Sequence, residues 1–203
     1  MVGLNLFFEN ISKSFGSKII FEKLTGKISR DDRIGLLGAN GVGKSTLARI
    51  FAGLETRDSG EIILAPPNIK LLYIEQYPEF DEKITVYDEL YKYALQEGDA
   101  QKAHTITREC LERMDLNRKL WEQRAVTLSG GEKTKLALCR AMVCDYDILI
   151  LDEPTSGLDP FSRDELLELF SELKKTGVAI FFSTHIISDI EKCADDIVYI
   201  SGG

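Results

Sequence analysis

No apolar run in these 203 residues approaches the roughly 18 needed to span a bilayer. The N-terminus, Met1-Val2-Gly3-Leu4-Asn5, lacks the basic region and long apolar stretch of a signal peptide. Any link to a membrane is therefore expected to go through a partner. Positive charge is in deficit: 25 Lys and Arg against 33 Asp and Glu leave a net charge of −8. That balance disfavours non-specific nucleic-acid binding, so no direct nucleic-acid contact is expected. Cysteine is sparse. Cys110, Cys139, Cys144 and Cys193 show no CxxC pair and no paired His spacing, and read as buried free thiols in a reducing cytosol. What remains is ordinary for a soluble globular chain, with 44% hydrophobic and 29% charged residues. The length allows one large domain with a substantial core.

The most informative stretch is Gly38-Ala39-Asn40-Gly41-Val42-Gly43-Lys44-Ser45-Thr46, which matches G-x-x-x-x-G-K-[ST]. Its glycines let the backbone adopt unusual dihedrals and approach an anion. Successive N–H groups then wrap a phosphate. Lys44 supplies a point charge for the β- and γ-phosphates, and the Ser45 hydroxyl a magnesium ligand. Ile34-Gly35-Leu36-Leu37 before the loop reads as a strand, and Thr46 to Ala52 after it as a helix. A helix N-terminus aimed at the phosphates adds its dipole.

Upstream, Leu4 to Phe8 and Lys18 to Phe21 carry strand signals around a turn at Ser14-Phe15-Gly16-Ser17. Phe15 reads either as core packing or as a ring for stacking on a purine. Glu61 to Leu64 and Ile69 to Ile74 read as strands interrupted by Pro66-Pro67. The second leads to Gln76, whose amide oxygen is within the chemistry of a metal or its water. From Thr85 to about Ala125 apolar residues recur at helical spacing, as an inserted helical subdomain opened by a capping-box-like Thr85-Val86-Tyr87-Asp88 and broken at Gln96-Glu97-Gly98-Asp99. Tyr87, Tyr91 and Tyr93 there read as packing or as a partner surface, and His104 is given no role. Ser129, Gly130 and Gly131 precede a long helix and form a second anion site at a helix N-terminus.

Asp147 to Glu153 reads as a buried-strand run, continuously apolar from Ile148 to Leu151 and ending in Asp152 and Glu153. Such strands are covered on both faces and carry ligands at their carboxyl ends. Asp152 suits magnesium, and Glu153 a water. Pro154 ends the strand, and Ser156-Gly157-Leu158-Asp159-Pro160 turns into a helix striped by Leu166, Leu169, Phe170 and Leu173. Val178 to Ser183 repeats the buried strand and ends at Thr184-His185, which makes His185 a γ-phosphate candidate. Ile197 to Ile200 is a last strand.

Together these residues resemble the ATP-binding cassette (ABC) ATPases across nearly the whole chain. The order is an aromatic, the phosphate loop, a Gln after a strand, a helical insert, Leu128-Ser129-Gly130-Gly131-Glu132, apolar-Asp-Glu, Ser156 to Asp159, and Thr184-His185. The resemblance implies an α/β fold: a phosphate-loop NTPase parallel-sheet core, an N-terminal antiparallel β part and an inserted α-helical subdomain. It implies one ABC ATPase domain over 1–203, with the ATP-binding core at 1–78 and 126–203 and the helical part at about 79–125. It implies ATP hydrolysis with ATP and Mg²⁺ bound, in a homodimer or pseudo-dimer that sandwiches two ATP molecules. Phe15 would stack on adenine, and Asn40, Gly41, Val42, Gly43, Lys44, Ser45 and Thr46 would hold the phosphates. Ser45, Gln76 and Asp152 would hold magnesium, directly or through water. Glu153 would polarise the attacking water, and His185 would contact the γ-phosphate. Ser129, Gly130, Gly131 and Asp159 would act on the partner protomer's nucleotide.

The segments after Asp159 and His185 resemble separate-chain transporter subunits, which implies a membrane permease partner on the helical subdomain and a cytoplasmic protein peripheral to the inner face of the membrane. The alternative is the ABC-F type, soluble ATPases acting on the ribosome, which Asp32 to Gly38 and Gly131 to Leu138 resemble. The family usually continues past a glycine turn into another strand. This chain stops at Gly202-Gly203, as a truncated or minimal cassette would.

Overall fold

A computed structural model of the chain describes residues 4–96, 98–144, 146–175 and 177–201. Met1, Val2, Gly3, Glu97, Gly202 and Gly203, which enter the expectations above, lie outside the described residues. The chain forms two compact units. The first is Met1–Glu75, Tyr146–Ser156 and Leu167–Gly203; the second is Gln76–Asp145 and Gly157–Leu166.

The first unit opens on a long antiparallel hairpin. Strand β1 (Asn5–Phe15) pairs with β2 (Lys18–Ser29) and, on its other side, with β4 (Ser59–Ala65). These strands run further than the sequence signals, because irregularities keep the pairing going. Leu6 and Phe8 point inward, as alternation requires. At Asn10 the backbone turns left-handed (φ 51) and the register slips, so the inward positions become Ile11 and Lys13. A one-residue bulge flips every later side chain to the other face.

Strand β3 (Arg33–Leu37) runs into the phosphate loop and helix α1 (Lys44–Phe51). With β5 (Leu71–Ile74), β6 (Ile148–Leu151), β7 (Ala179–Thr184) and β8 (Asp196–Tyr199) it forms a parallel sheet in the order β5-β6-β7-β3-β8. β6 and β7 are buried at every residue, as continuous apolar runs in a covered parallel sheet should be. α1 packs against this sheet through Phe51, whose ring lies 4.8 Å from that of Phe8 and 5.2 Å from that of Phe181. The core therefore joins the antiparallel strands, α1 and the parallel sheet. Helix α6 (Ile187–Cys193) packs on β3 and β7, where a Cβ on Gly35 would stand 2.1 Å from Ile190 Cδ1.

The second unit is helical. α2 (Val86–Gln96), α3 (Ala100–Arg113) and α4 (Gly130–Val143) pack against one another. Leu90, Ala94, Cys110 and Leu111 fill the interior, matching the helical spacing. Thr85 Oγ1 accepts from Asp88 N and donates to Asp88 Oδ2 at the start of α2, and Asp99 caps α3. Glu89 is buried and shared between Arg140 Nη2 and Lys92 Nζ, each at 2.6 Å, so a charge pair pins α2 to α4. Tyr91 stacks on His104 at 4.3 Å, and Tyr87 Oη lies 2.7 Å from His104 Nδ1. His104 thus has a packing role that its sequence context did not signal. Helix α5 (Pro160–Lys174) starts in this unit and ends in the first. The mixed fold is the expected one: a parallel-sheet core, an N-terminal antiparallel part and a helical insert.

Candidate active site

The phosphate loop is built by backbone geometry before any side chain acts. Gly43 caps α1 with φ 111, and a Cβ there would sit 2.2 Å from Ile20 Cγ2 on β2. Only glycine meets both demands. The helix consequently begins at Lys44, two residues before its sequence signal. Lys44 is 4% exposed, and its ammonium donates to Gly38 O at 2.9 Å and Ala39 O at 3.1 Å. It also pairs with Glu153 Oε1 at 2.9 Å. A buried ammonium requires such partners.

Strand register brings the acids to this lysine. β3, β7 and β6 are adjacent and parallel, with Leu37 opposite Thr184 and Leu151 opposite Phe182. Their carboxyl ends lie on one side, so Gly38, Asp152, Glu153 and His185 emerge together. Asp152 Oδ1 accepts from Ser45 Oγ at 3.0 Å and from Ser183 Oγ at 2.7 Å. Tyr73 Oη donates to Asp152 Oδ2 at 3.3 Å. Burial, and then the Asp152 charge, push the Tyr73 phenol well above its ordinary range, so it stays a donor.

Glu153 takes φ 43, an uncommon value for a side chain of its size. Its N–H donates to Ser183 Oγ at 2.9 Å, which holds that turn. Its carboxylate is shared: Oε1 faces Lys44, and Oε2 lies 2.9 Å from His185 Nδ1. With Nδ1 donating, the other ring nitrogen is an acceptor in neutral His185 and a donor only in the imidazolium.

Phe15 ends β1 opposite Lys18, and Ile20, two residues on, is the side chain against Gly43. The hairpin end thus adjoins the phosphate loop, with Phe15 50% exposed. Asn40 and Gly41 are exposed at the loop crest, and Val42 and Thr46 are half-buried beside it.

The remaining candidates belong to the second unit. Gln76 is its first residue. Ser129 caps α4 through a full capping box: its Oγ accepts from Glu132 N, and its N–H donates to Glu132 Oε2 at 2.8 Å. Gly130 and Gly131 open the helix, and a Cβ on Gly131 would stand 3.1 Å from Leu158 Cδ2. Asp159 Oδ1 accepts from Phe161 N at 3.0 Å and Ser162 N at 3.2 Å, capping α5. The Ser162 hydroxyl and these N–H groups hold its carboxyl below the usual range.

Residues 21–156 match the family model described as ABC transporter. The chain belongs to the ABC transporter family of ATP-binding proteins. It is 32% identical over 206 residues to the Nod factor export ATP-binding protein I of Rhizobium etli, with 97% of this chain and 65% of that protein aligned. It is 34% identical to the protein of the same name from Burkholderia lata, over 97% of this chain and 67% of that one. The chain thus spans about two thirds of the length of these curated relatives. Among solved structures, the ATP-binding subunit of an ABC transporter superposes with a TM-score of 0.81 at 27% identity, over 96% of this chain and 85% of that one. A metal-chelate type ABC transporter in an inward-facing conformation superposes with a TM-score of 0.83, over 99% of this chain and 80% of that one. At 23% identity it supports the fold alone.

ABC ATPases bind ATP, commonly with Mg²⁺, and the donor set suits that pair. Among the described residues no group of three or more His, Cys, Asp or Glu could hold a metal by itself. Asp152 is 6% exposed and has three hydroxyl donors but no cationic partner among the described residues. Mg²⁺ is normally held by one or two carboxylates together with substrate phosphates and water, and Asp152 with Ser45 fits that pattern.

Three supporting groups escape a reading by motif. Ser183, fully buried, joins Asp152 to Glu153. Tyr73 meets Asp152 from the neighbouring strand. Asp189, 1% exposed, accepts from Thr155 Oγ1 at 2.6 Å and Thr184 Oγ1 at 3.3 Å, tying the segment after Glu153 to the one before His185. The polar end of an otherwise apolar β7 was the available signal for Ser183. Nothing local marks Asp189.

Proposed function

We propose that this chain is an ATP-hydrolysing subunit that dimerises around two ATP molecules and powers a membrane permease. The observation that carries the proposal is the convergence of Lys44, Asp152, Glu153 and His185 at one end of a parallel sheet in a chain of this family. The Nod factor export relatives support the transporter reading over a ribosome-acting one. The whole chain acts as one ATPase domain, with the helical part at about 79–125 set into an ATP-binding core.

Phosphoryl transfer asks the protein mainly for positioning and charge neutralisation. Gly38 to Thr46 wrap the phosphates, and Phe15 stacks on the base. Lys44 exchanges Glu153 for phosphate oxygens. Glu153, released from that pair and steadied by His185, accepts the hydrogen of the attacking water and orients it. Ser183 keeps Asp152 and Glu153 in register. Ser45, Asp152 and Gln76 would hold Mg²⁺, directly or through water, and the ion would supply neutralisation of developing phosphate charge. His185 contacts the γ-phosphate.

The second anion site, at Ser129, Gly130 and Gly131 with Asp159 beside it, completes the site of the other protomer. Closure then depends on the γ-phosphate, and its loss reopens the pair. A permease contacts the helical unit and holds the chain on the cytoplasmic side of the membrane. Among the described residues no helix is long and apolar enough to cross a membrane. The test is purified full chain with Mg–ATP: phosphate release dependent on Mg²⁺, and co-purification with a membrane-spanning partner. Absence of both would overturn the proposal.

A further inference from the structure

The bulge at Asn10 turns Lys13 inward, a costly place for an ammonium. Its side chain is 7% exposed. It donates to Glu55 Oε1 at 2.8 Å and Thr56 O at 2.7 Å, with Asp58 Oδ1 at 4.0 Å. The same ammonium lies 4.7 Å from the centroid of the Phe15 ring. The Lys13 hydrogen bond, then the Thr56 N–H, hold the Glu55 carboxyl below its usual range, so the acid stays charged beside the lysine.

The loop that grips Lys13 also grips its neighbour. Asp58 Oδ2 accepts from Ser14 N at 2.7 Å and from Ser14 Oγ at 2.5 Å, and Asp58 N donates to Ser12 O at 2.9 Å. This loop follows α1, the helix that begins with Lys44 and Ser45. The strand end carrying Phe15 is therefore fastened to the far end of the phosphate helix.

We propose that Lys13 is a positioning residue for the nucleobase: it fixes the Phe15 ring from behind and prepares its outer face for a purine. The proposal rests on the reading of Phe15 as the base platform. Two effects act together. An aromatic face is negative, which opposes face-to-face stacking, and a cation on the opposite face draws that density back. A ring already held in place also loses less freedom when the base arrives. A buried ion pair serving the fold alone would need neither the ring contact nor a consequence for the base.

The test compares Mg–ATP with Mg–tripolyphosphate, which has the phosphates and no base, by isothermal titration of the full chain. K13M removes the charge and keeps the length. K13M/E55Q also removes the carboxylate left without its cation, and serves if K13M folds poorly. Both should bind Mg–ATP about 3- to 10-fold more weakly, the range expected for a partly desolvated cation–π contact. Tripolyphosphate affinity should not change, and K13R should restore most of the ATP affinity. If F15A lowers the ATP-to-tripolyphosphate ratio while the Lys13 variants leave it intact, the proposal is overturned and the base platform stands. If F15A leaves the ratio intact, the platform falls and the proposal with it. Equal weakening of both ligands in the Lys13 variants overturns the proposal by showing that Lys13 serves the fold alone.

Discussion

Lys44 and Glu153, 109 positions apart in sequence, form an ion pair at 2.9 Å in which the lysine side chain is 3% exposed and the glutamate 11%. The proposed phosphate-binding cation and the proposed water-orienting base are therefore each other's partner. Breaking a buried pair from one side leaves a charge uncompensated.

Lys44→Ala should abolish tight nucleotide binding. Losing one partner of a buried charge pair costs about 2–5 kcal/mol. Nucleotide titration at wild-type affinity in this variant would remove the phosphate-loop assignment. The stranded Glu153 should also lower the melting temperature, a separate readout.

Glu153→Gln keeps the shape and loses the carboxylate. Turnover should fall by about 10²- to 10⁴-fold, the range for removing a general base. Mg–ATP binding should persist, and gel filtration with ATP should show more dimer than wild type. Near-normal turnover would take Glu153 out of the chemistry.

Ser183→Ala tests a residue with no motif of its own. It leaves the Glu153 N–H and one lone pair of Asp152 without a buried partner. The expected cost is about 1–3 kcal/mol of stability, with kcat reduced more than ATP affinity. Denaturant melts and steady-state kinetics on the same preparation separate the two. Unchanged kcat would mean that the Asp152–Glu153 geometry survives without it.

The composite site is tested with Gly130→Asp. A Cβ at Gly130 meets nothing within 4 Å, so the fold accepts the substitution, whereas Gly131 is closer to Leu158. An aspartate at a helix N-terminus is not destabilising, but it places a like charge where a partner's γ-phosphate would sit. Mixed with Lys44→Ala, in a Glu153→Gln background, it should yield one intact site per mixed dimer. ATP retained after rapid desalting should then exceed that of either variant alone. Retention at the mean of the two, with mixed dimers verified by tagged pull-down, would sink the two-chain site.

Alkaline pH should reveal the buried thiols. Burial pushes the Cys193 thiol from its ordinary 9.0 up to about 12 and raises Cys139 too. A folded-state value above the unfolded one gives stability that is full below pH 9.0 and is lost as pH rises toward about 12. Urea midpoints should decline across that window. In the native state, alkylation at neutral pH should reach Cys144 first, since Cys110, Cys139 and Cys193 are buried. Equal labelling of all four would contradict that packing.

The phosphate loop, the apolar-Asp-Glu strand and the LSGGE segment were legible because each is a local solution to a local problem. A tight anion-binding turn needs glycines, a doubly covered strand needs unbroken apolarity, and a helix start needs a cap. The sequence by itself therefore determined the α/β class, the order of the strands and most of the candidate site, but not helix α6. Strand register was a different matter. That Leu151 stands opposite Phe182 and Leu37 opposite Thr184 depends on sheet pairing between segments far apart in sequence, and only that pairing places Ser183 between Asp152 and Glu153. Lys13 was equally illegible. Its inward position follows from a left-handed residue at Asn10 and a slipped ladder, and its burial is tolerable only because a loop more than forty residues later supplies the acceptors. Residue type and spacing reach as far as the local backbone conformation. Which distant polar groups must satisfy one another is decided when burial removes water as the alternative partner.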